Sequence, residues 1–460
     1  MELFRRLEVF LNALAALPKR SWRPRIDPRG LRVEGPGLRR VEALLDRLGV
    51  PAPGRPVVHV VGTSGKGSTV LMMAEAFHAA GVRTAAFFSP HLTSLAERFW
   101  ITGRFLDPAW AGRCGARLAQ AAGDMAKDPV LGPPSYFEAT LGIFLLAAEE
   151  AGCEMILLEA GLGGTYDATN AVTPAALDVV TPIGLDHTDL LGETVARIAR
   201  DKAGIITRGG RVISGVQHVS ARRELARVAR ERGASLISPP EVERLAWGVD
   251  GCRLDLCFPD GERWEGLRTR MCGGHQALNA AVAAGACRLL GLREEAVRAG
   301  VWAARLPCRL EAMPDQPAVI LDGAHNRDKA RALAEAMDQW PGRRRIFVLG
   351  AVGDKDYRGM ARVLAPAGHH FFVTLPPGGV PRPGLPPEKF RQALVRAGAR
   401  NVDVVMDPWN ALDAALADAR EGDVVVVAGS LYLAGELRRR WVPESRILET
   451  GRAFPPELGL

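Results

Sequence analysis

The sequence has 460 residues, more than one hydrophobic core usually organises, so we expect two or three domains. Apolar residues make up 47% and charged residues 24% of the chain, which argues against global disorder and predicts a globular protein. The formal charge of +7 is spread along the chain, and no basic segment is interleaved with aromatic residues, so a nucleic-acid partner is not expected. No apolar run approaches the roughly 18 to 20 residues that a membrane helix requires, so we expect no membrane partner.

The seven cysteines are scattered and include no C-x-x-C pair, which argues against zinc and redox sites and favours the cytoplasm. Near the start of the chain, apolar residues at helical spacing predict an amphipathic helix that docks on the protein. These residues are Leu3, Leu7, Phe10, Leu11 and Leu14.

The following segments alternate between short apolar runs, polar or glycine-rich turns, and helical patterns, which predicts a parallel α/β sheet. The predicted strands are residues 57–61, 84–88, 155–158 and 177–181. Each ends beside residues that can take part in chemistry. Ligands bind beyond the carboxyl ends of the strands in open α/β sheets, so we expect these turns to meet at one crevice.

After about residue 212 the pattern changes. The polar stretch 247–270 predicts short antiparallel strands before a helix at 277–290, and residues 306–309 are a predicted hinge. Beyond the hinge we predict a second α/β series, with strands at 319–321, 345–349, 371–374, 402–405 and 424–427. The fold class is therefore α/β, with predicted domains at residues 1–306 and 307–460.

The strongest local signal is the glycine-rich loop that follows the strand at 57–61. The loop consists of Gly62, Thr63, Ser64, Gly65, Lys66, Gly67, Ser68 and Thr69. Its glycines let amides turn toward an anion, Lys66 adds a charge, and Ser68 or Thr69 offers a hydroxyl to magnesium. The spacing departs from G-x-x-x-x-G-K-[ST] because Gly67 follows the lysine. A purely structural turn is the alternative, but the lysine and the flanking strand and helix favour ATP phosphates.

Three residues after other strands have two interpretations each. Glu159 precedes a glycine-rich turn and suits magnesium, although a strand-end acid is often a surface or capping residue. His187 alone is commonly a hydrogen-bonded loop residue. Lys202 could be a solvated helix lysine paired with Asp201 or Glu193, and periodicity does not decide between these interpretations.

The predicted second domain repeats this arrangement. Asp322 follows a strand in the segment 321–326, and glycine-containing turns follow two further strands near residues 353 and 429. An aspartate at such a turn can accept a hydrogen bond from a ribose hydroxyl, but capping of the next helix explains it almost as well.

Ten motifs in a fixed order carry a resemblance that covers nearly the whole chain. They lie at residues 37–49, 62–69, 89–92, 136–140, 159–170, 185–187, 202–205, 322–326, 354–356 and 429–436. Together they resemble the folylpolyglutamate synthase and dihydrofolate synthase family, of the bifunctional bacterial type, within the Mur ligase superfamily. The resemblance implies a P-loop-type Mur ligase central domain followed by a smaller, Rossmann-like domain that closes over glutamate and the nucleotide.

The resemblance also implies the reaction. ATP phosphorylates the carboxylate of dihydropteroate or of a folate, and the amino group of L-glutamate attacks the acyl phosphate to form an amide. The implied cofactors are ATP, two Mg²⁺ ions, a carbamate on Lys202 and a monovalent cation. The implied partners are small-molecule substrates alone, bound by a monomer in the cytoplasm.

The resemblance assigns roles residue by residue. It implies catalytic roles for Lys66, His187 and Lys202. Besides residues 62–69, the implied nucleotide contacts are Asn279, Arg309, Asp322 and His325. The implied metal ligands are Ser68, Ser89, Glu159, His187 and Lys202.

A second implied set forms the pterin-side pocket. Its members are Gly37, Leu38, Arg39, Ser135, Tyr136, Phe137, Glu138, Tyr166, Asp167 and Ala168. Phe137 could stack on a flat heteroaromatic ring or serve only the helix core. The chain departs from the family pattern at Ser64, Asp201 and Cys308, none of which removes an implied metal ligand.

Other functions stay open at this stage. The chain could carry only one of the two folate activities, or could be another Mur-type amide ligase acting on cell-wall peptide or a poly-amino acid. A nucleotide-binding regulatory protein is a third alternative, against which Glu159, His187 and Lys202 argue together.

Overall fold

The computed structural model describes residues 1–17, 25–26, 32–33, 37–50, 54–172, 174–314, 317–340, 344–353, 355–377 and 383–456. Asp354, part of one motif quoted above, lies outside the described residues. The chain begins with helix α1 (Glu2–Ala16), the short antiparallel strands β1 (Arg25–Ile26) and β2 (Arg32–Val33), and helix α2 (Gly37–Leu48).

Helix α1 confirms the predicted docking helix but not the whole of its predicted face. Leu7, Leu11 and Leu14 are buried as expected. The prediction that Leu3 belongs to the docking face was wrong. Leu3 is 48% exposed, and Phe4 is fully buried in its place. The adjacent position satisfies the same helical spacing to Leu7 and Leu11, so periodicity did not distinguish the two.

The next elements build the first sheet. They are β3 (Val57–Val61), α3 (Lys66–Ala79), β4 (Thr84–Phe87), β5 (Phe99–Ile101), β6 (Arg104–Phe105), α4 (Pro108–Met125), α5 (Tyr136–Glu150), β7 (Met155–Glu159), β8 (Leu177–Val180), α6 (Thr188–Leu191), α7 (Val195–Lys202), β9 (Arg211–Ser214), α8 (Val219–Glu231) and β10 (Ser235–Ile237). The strand order is β10-β9-β8-β3-β7-β4-β5-β6, and the sheet is parallel from β10 to β4.

Alternate residues of the central strand β3 face opposite layers of helices, as strand geometry requires. Val58 and Val60 pack in one core with residues of α3 and the later α-helical layer, whereas Val57 packs with α1, α2, α4 and α5. Because both faces are covered, the strand is apolar on both sides, with the buried His59 as its one polar residue.

The prediction that the parallel strand-and-helix pattern ends near residue 212 placed this end too early. Strands β9 and β10 both lie at or beyond that point and belong to the first sheet. The three-residue β10 at the sheet edge is largely exposed, and the four-residue β9 buries only Val212 and Ile213 fully, so both strands give a weak signal in the sequence.

The polar stretch that follows forms the predicted antiparallel strands and helix. These elements are β11 (Glu241–Gly248), β12 (Gly251–Cys257), β13 (Arg263–Thr269), α9 (Gly274–Leu289) and α10 (Glu294–Ala303). Both helices pack against α3, so the helix that follows the glycine-rich loop is covered by later parts of the chain.

The last elements build a second sheet. They are β14 (Glu311–Met313), β15 (Ala318–Leu321), α11 (Arg327–Met337), β16 (Arg345–Leu349), α12 (Tyr357–Leu364), β17 (His370–Val373), α13 (Pro387–Arg396), β18 (Val402–Val404), α14 (Pro408–Asp418), β19 (Val424–Ala428), α15 (Leu431–Arg438) and α16 (Glu444–Thr450). The order is β14-β15-β19-β16-β17-β18, parallel except for β14.

The α/β fold class is therefore confirmed, with two parallel-rich sheets. The expected division after residue 306 falls in the connection between α10 and β14, and the domain limits stay a prediction. Two residues of this connection, Cys308 and Leu310, have positive φ angles of 54° and 52°. Within the described residues, no helix is both long and apolar enough to span a bilayer.

Candidate functional site

The glycine-rich loop joins β3 to α3 and is held against the end of β8. The amides of Thr63 and Ser64 donate to the Pro182 carbonyl at 2.9 and 3.2 Å, and the Thr181 hydroxyl donates to the Ser64 carbonyl at 2.7 Å. A Cβ on Gly62 would lie 1.9 Å from the Thr181 hydroxyl oxygen, so this position requires glycine.

Helix α3 begins directly after Gly65, which adopts φ +84°. The first-turn amides of a helix have no intrahelical carbonyl partner, so those of Lys66, Gly67 and Ser68 can receive an anion. The loop therefore offers its helix-side amides to phosphate, while the amides of Thr63 and Ser64 hold the loop in place.

Glu159, the last residue of β7, lies beside this helix start. Its Oε1 is 3.9 Å from the Lys66 Nζ, and its Oε2 accepts a hydrogen bond of 3.0 Å from the Ser89 amide. Burial raises the pKa of Glu159, whereas the Lys66 charge opposes that rise. Ser68 is buried nearby on the first turn of α3. The Glu159 carboxylate and the Lys66 ammonium thus lie close together at the carboxyl end of β7. Two hydroxyl residues are nearby, Ser68 on α3 and Ser89 after β4.

Lys202 ends α7 and is 5% exposed. Burial and the neighbouring Lys66 charge lower the pKa of Lys202 to about 7, although Asp201, Asp167 and Asp186 oppose the shift. A large share of this amine is therefore uncharged near neutral pH.

His187 lies after β8 in a left-handed conformation, with φ 50°. The adjacent Asp186 forms an ion pair of 2.7 Å with Lys355, which comes from the second sheet's side. Burial alone would raise the pKa of Asp186, but His325, His187 and Lys355 together hold that pKa well below its usual range. Asp186 therefore stays ionised and links the two halves of the chain.

Asp322 follows β15 and uses both carboxylate oxygens to shape its surroundings. Oδ2 accepts from the Leu310 amide at 3.0 Å, and Oδ1 accepts from the Ala324 amide at 2.7 Å. Arg309 lies alongside, with its Nη1 2.8 Å from the ideal Cβ position of Gly323. Arg309 lies between Cys308 and Leu310, both with positive φ, and lines the same space as the loop of the first sheet.

A cavity of about 440 Å³ joins these groups. It is lined by most of the predicted nucleotide and metal residues, namely Gly62, Thr63, Ser64, Gly65, Lys66, Gly67, Ser68, Ser89, Glu159, His187, Lys202, Asn279, Arg309, Asp322 and His325. Thr69 is not among them, because its side chain is fully buried within α3's packing. Residues more than 250 positions apart therefore meet around one space.

A second cavity, of about 490 Å³, meets the first one at Gly67, Ser89 and Glu159. It extends between Trp100 and Arg305. The Glu159 carboxylate is thus reached from two sides, which suits a reaction that brings together more than one substrate.

The predicted pterin-side residues lie outside both cavities, and several have other partners. Glu138 accepts from the Ser135 amide at 2.7 Å and forms a bidentate ion pair with Arg40 at 2.7 and 2.6 Å. Phe137 packs on Gly161 and near Phe87. Ser135 and Glu138 thus form the capping box of α5.

Asp167 also serves its own loop. Its Oδ2 accepts from the Leu162 amide at 2.7 Å, and its Oδ1 accepts from the Thr169 hydroxyl, which lies 2.7 Å from His59 Nε2. Tyr166 and Ala168 flank it in the same turn. The remaining predicted residues, Gly37, Leu38 and Arg39, begin α2. A substrate role for this set stays a prediction.

Sequence reasoning missed three charged residues near these groups. Arg40 is the buried partner of Glu138. Arg98 is buried, lies over the Tyr136 ring at 5.3 Å, and its charge opposes the rise in the pKa of Glu159 that burial causes. Lys329 lines the nucleotide-side cavity of about 440 Å³. Of the three, Lys329 lies closest in sequence to predicted nucleotide contacts, since it follows His325 by four residues.

Comparison with known proteins agrees with this geometry. Residues 308–431 match the family described as Mur ligase, glutamate ligase domain. The chain is 31% identical to the dihydrofolate synthase/folylpolyglutamate synthase of Bacillus subtilis, over 88% of this chain and 95% of that protein. It is 33% identical to the enzyme of the same name from Escherichia coli, over 91% and 94%.

A probable bifunctional folylpolyglutamate synthase/dihydropteroate synthase of Halobacterium salinarum is 33% identical over 88% of this chain, which spans 49% of that protein's length. Among solved structures, Mycobacterium tuberculosis folylpolyglutamate synthase complexed with ADP superposes with a TM-score of 0.83 at 31% identity, covering 95% of this chain and 98% of that one. E. coli FolC in complex with DHPP and ADP gives 0.81 at 29% identity, covering 94% and 97%. The chain belongs to the dihydrofolate synthase/folylpolyglutamate synthase family of Mur-type ligases.

Proposed function

We propose that this chain is an ATP-dependent ligase that adds L-glutamate to dihydropteroate and to folates. The observation that carries the proposal is the Lys66 and Glu159 pair, which lies in a cavity lined by the phosphate loop on one side and by Arg309 and Asp322 on the other. The relatives' names support this activity, and the nearly full coverage of the bacterial relatives supports the whole reaction.

In the first step, a carboxylate oxygen of the acceptor bonds to the terminal phosphorus of ATP, and the bond to ADP breaks. In the second step, the glutamate amine bonds to the acyl carbon, loses a proton, and displaces phosphate. A carboxylate is a poor electrophile, so phosphorylation supplies the leaving group. The first-turn amides of α3 and Lys66 offset negative charge that grows on the transferred group.

Residues on the second-sheet side of the cavity match the nucleotide contacts expected from the sequence. Asn279 lies against Gly65, while Arg309, Asp322 and His325 line the opposite wall. These residues would hold and orient ATP and exclude water from the acyl phosphate. Domain limits near residue 307, with the second unit closing over the nucleotide, are part of this proposal.

Magnesium fits the donor set on this structure. Glu159, Ser68 and Ser89 supply oxygen atoms, which hard divalent ions prefer, and His187 lines the same cavity. Among the described residues, no group of three or more His, Cys, Asp or Glu could hold a metal ion, so the set depends on hydroxyls, phosphate oxygens and Lys202. When bound, the ion would neutralise phosphate charge. The Yersinia pestis relative solved with AMPPNP and Mn ion supports a nucleotide with a divalent metal.

Lys202 supplies the missing anion if it carries a carbamate. An uncharged amine can bond to the carbon of CO₂ and release one proton, which converts a cation into a metal-binding carboxylate. Burial and the position of Lys202 among the predicted metal ligands support this modification. Carbon NMR of protein equilibrated with ¹³C-bicarbonate should show a carbamate signal that disappears in Lys202→Ala and persists in the exposed control Lys127→Ala. A signal unchanged in Lys202→Ala would contradict the assignment.

The acceptor pocket, the monomeric state and a monovalent-cation requirement complete the proposal. Phe137 and the turn around Asp167 lie beside Gly161, where a flat acceptor could approach the Glu159 end of β7. Ser135 and Glu138 would act by fixing the start of α5, next to Phe137. Size-exclusion chromatography with light scattering tests the monomer, and activity in potassium against sodium salts tests the cation.

The deciding experiment is an acceptor assay. Purified protein is incubated with ATP, Mg²⁺, L-glutamate and either dihydropteroate or tetrahydrofolate, and ADP release and product mass are measured. Turnover with both acceptors is the expected result. Turnover with one acceptor would restrict the proposal to that activity, and turnover with neither would refute it.

A further inference from the structure

Lys329 is a cavity-lining lysine whose position the proposed reaction has not yet used. It is the third residue of α11, and its amide donates to the side chain of the capping residue Asn326 at 3.0 Å. Its side chain is partly buried and lines the cavity that holds the phosphate loop. The backbone is therefore fixed, and the side chain faces the shared space.

The hydrogen bonds of His325 define what Lys329 contacts. His325 Nδ1 lies 2.8 Å from the Gly323 carbonyl oxygen, which can only accept, so Nδ1 carries the proton. His325 Nε2 must then accept from the Lys329 Nζ, which lies 3.0 Å away. Burial and the Lys329 charge lower the pKa of His325 to about 4, so the imidazole is neutral. Lys329 keeps two further N–H donors.

No carboxylate neutralises this ammonium directly. Asp186 and Asp322 interact with it only at longer range, and Asp186 is itself bound to Lys355 at 2.7 Å. In the described part of the chain, Lys329 forms no ion pair within 4.0 Å, and its hydrogen-bond partner is the uncharged His325. A partly buried cation whose direct hydrogen-bond partner is neutral is costly unless an anion binds to it.

Further cations surround the same space. Burial lowers the pKa of Lys329 to about 7, and the charges of Arg309, Lys66 and Lys355 contribute to the shift. Lys66 comes from the first sheet and Arg309 from the connection, so Lys329 adds a cation from the second sheet. Positive groups that converge from three parts of a fold on one cavity are suited to a polyanion.

The neighbours of Lys329 indicate which part of the polyanion it contacts. Lys329 contacts His325, whose Nε2 lies 3.7 Å from the Asp186 Oδ2, and Asp186 is adjacent in sequence to the predicted metal ligand His187. Lys329 is therefore near the reacting end of the site and not at Asn279, where the loop meets α9.

We propose that Lys329 binds the terminal phosphoryl group of ATP from the side opposite Lys66, an assignment that rests on the proposed ATP-dependent ligase activity. The ammonium hydrogen-bonds to His325 with one N–H and donates the others to phosphate oxygens. The two lysines then hold the group between the sheets while it moves from ADP to the acceptor carboxylate.

Nucleotide binding without turnover tests this assignment. Calorimetry should compare ADP with the non-hydrolysable analogue AMPPNP, both with Mg²⁺, for the unmodified protein, Lys329→Met, Lys329→Arg and Arg331→Met. Lys329→Met should weaken AMPPNP binding at least about tenfold and change the affinity for ADP less than about twofold, because only AMPPNP carries the terminal phosphoryl group. Lys329→Arg should recover part of the loss. Arg331→Met, an exposed change on the same helix, should match the unmodified protein.

Three outcomes would overturn the assignment. Unchanged AMPPNP affinity in Lys329→Met would show that Lys329 does not contact the terminal phosphoryl group. An equal loss of affinity for ADP and AMPPNP would show that Lys329 only shapes the cavity. A raised KM for glutamate with unchanged AMPPNP affinity would assign Lys329 to a glutamate carboxylate instead. Failure of the proposed function is separate, since the unmodified protein would then bind nucleotides without ligating either acceptor.

Discussion

Gly65 lies so close to Asn279 that a Cβ at position 65 would be 2.1 Å from the Asn279 Oδ1. Asn279 cannot easily move away, because it is buried and its Nδ2 donates to the Gln276 Oε1 at 2.9 Å. This contact joins the phosphate loop to α9, which follows it by more than 200 residues. The geometry of the loop therefore depends on a distant helix as well as on its own glycines.

We expect Gly65→Ala to weaken ADP and ATP binding at least about tenfold, since the new methyl group must displace either the loop or Asn279. Gly81→Ala is the matched control. Gly81 has φ +80°, close to the +84° of Gly65, but a Cβ there meets nothing within 4 Å. Both variants bear the same backbone strain of about 1 kcal/mol.

Calorimetric ADP titrations and melting temperatures of the two variants separate the effects. Both variants should lose stability through backbone strain, Gly65→Ala at least as much as Gly81→Ala, and only Gly65→Ala should lose nucleotide affinity. If both variants bind ADP alike, the Gly65 and Asn279 contact does not shape the site.

Glu159→Gln should reduce kcat by at least about a hundredfold, because an amide keeps the shape of the side chain but loses the charge that would hold a divalent ion. The Mg²⁺ concentration for half-maximal rate should rise as well, whereas ADP binding without metal should change little. Glu154→Gln removes an exposed carboxylate that precedes the same strand and should behave as the unmodified protein.

Steady-state rates over a Mg²⁺ titration measure this effect. If Glu159→Gln has a normal kcat and a normal Mg²⁺ dependence, Glu159 does not bind the metal.

Local signals explain why the core of the site could be predicted. The apolar run at β3 with its glycine-rich loop, and the strand before Glu159, are continuous segments whose chemistry lies beside them in sequence. Parallel topology then brings their carboxyl ends together. The site positions in 62–68 and Glu159 needed no knowledge of distant contacts.

The remaining features depend on pairings that the sequence does not display. Lys329 owes its environment to Asp186 and Lys355, which are 169 positions apart from each other. Arg40 resembles a surface charge on an amphipathic helix until α5 packs against it. Glu138 had a recognisable structural signal, since S-x-x-E is a capping box, and the substrate role that the family resemblance implies for it stays a prediction.

The buried pair of Arg40 and Glu138 should be strongly coupled in stability. Arg40→Met leaves the Glu138 carboxylate without its cation and should cost about 3 to 5 kcal/mol. The double variant Arg40→Met with Glu138→Leu should cost less than the sum of the single changes, because no charge is left buried. Arg47→Met, on the exposed face of the same helix, is the control.

Denaturant unfolding of the four proteins forms a double-mutant cycle. Additive effects of the two single changes would show that the pair contributes no coupling, even though its side chains are 1% and 6% exposed.

Asp178 on β8 should make stability depend on pH in a direction opposite to that of most carboxylates. It is fully buried, and its Oδ2 accepts from the Thr207 amide at 2.7 Å. Burial raises the pKa of Asp178 to about 7, although the Thr207 hydrogen bond opposes the shift. The unfolded value is about 3.9, so the folded state binds more protons between about pH 4 and 7, and this group's contribution to stability falls as pH rises through that window.

Asp178→Asn keeps an oxygen for the Thr207 amide and removes the titration. The melting temperature of Asp178→Asn relative to the unmodified protein should therefore rise from pH 5 to pH 8, by about 2 to 3 °C given the size of the chain. Differential scanning calorimetry at both values measures this, with the exposed Asp46→Asn as a control whose difference should stay constant. An Asp178→Asn difference that is the same at pH 5 and pH 8 would show that this carboxyl keeps an ordinary pKa in the fold, with its charge stabilised by groups beyond Thr207.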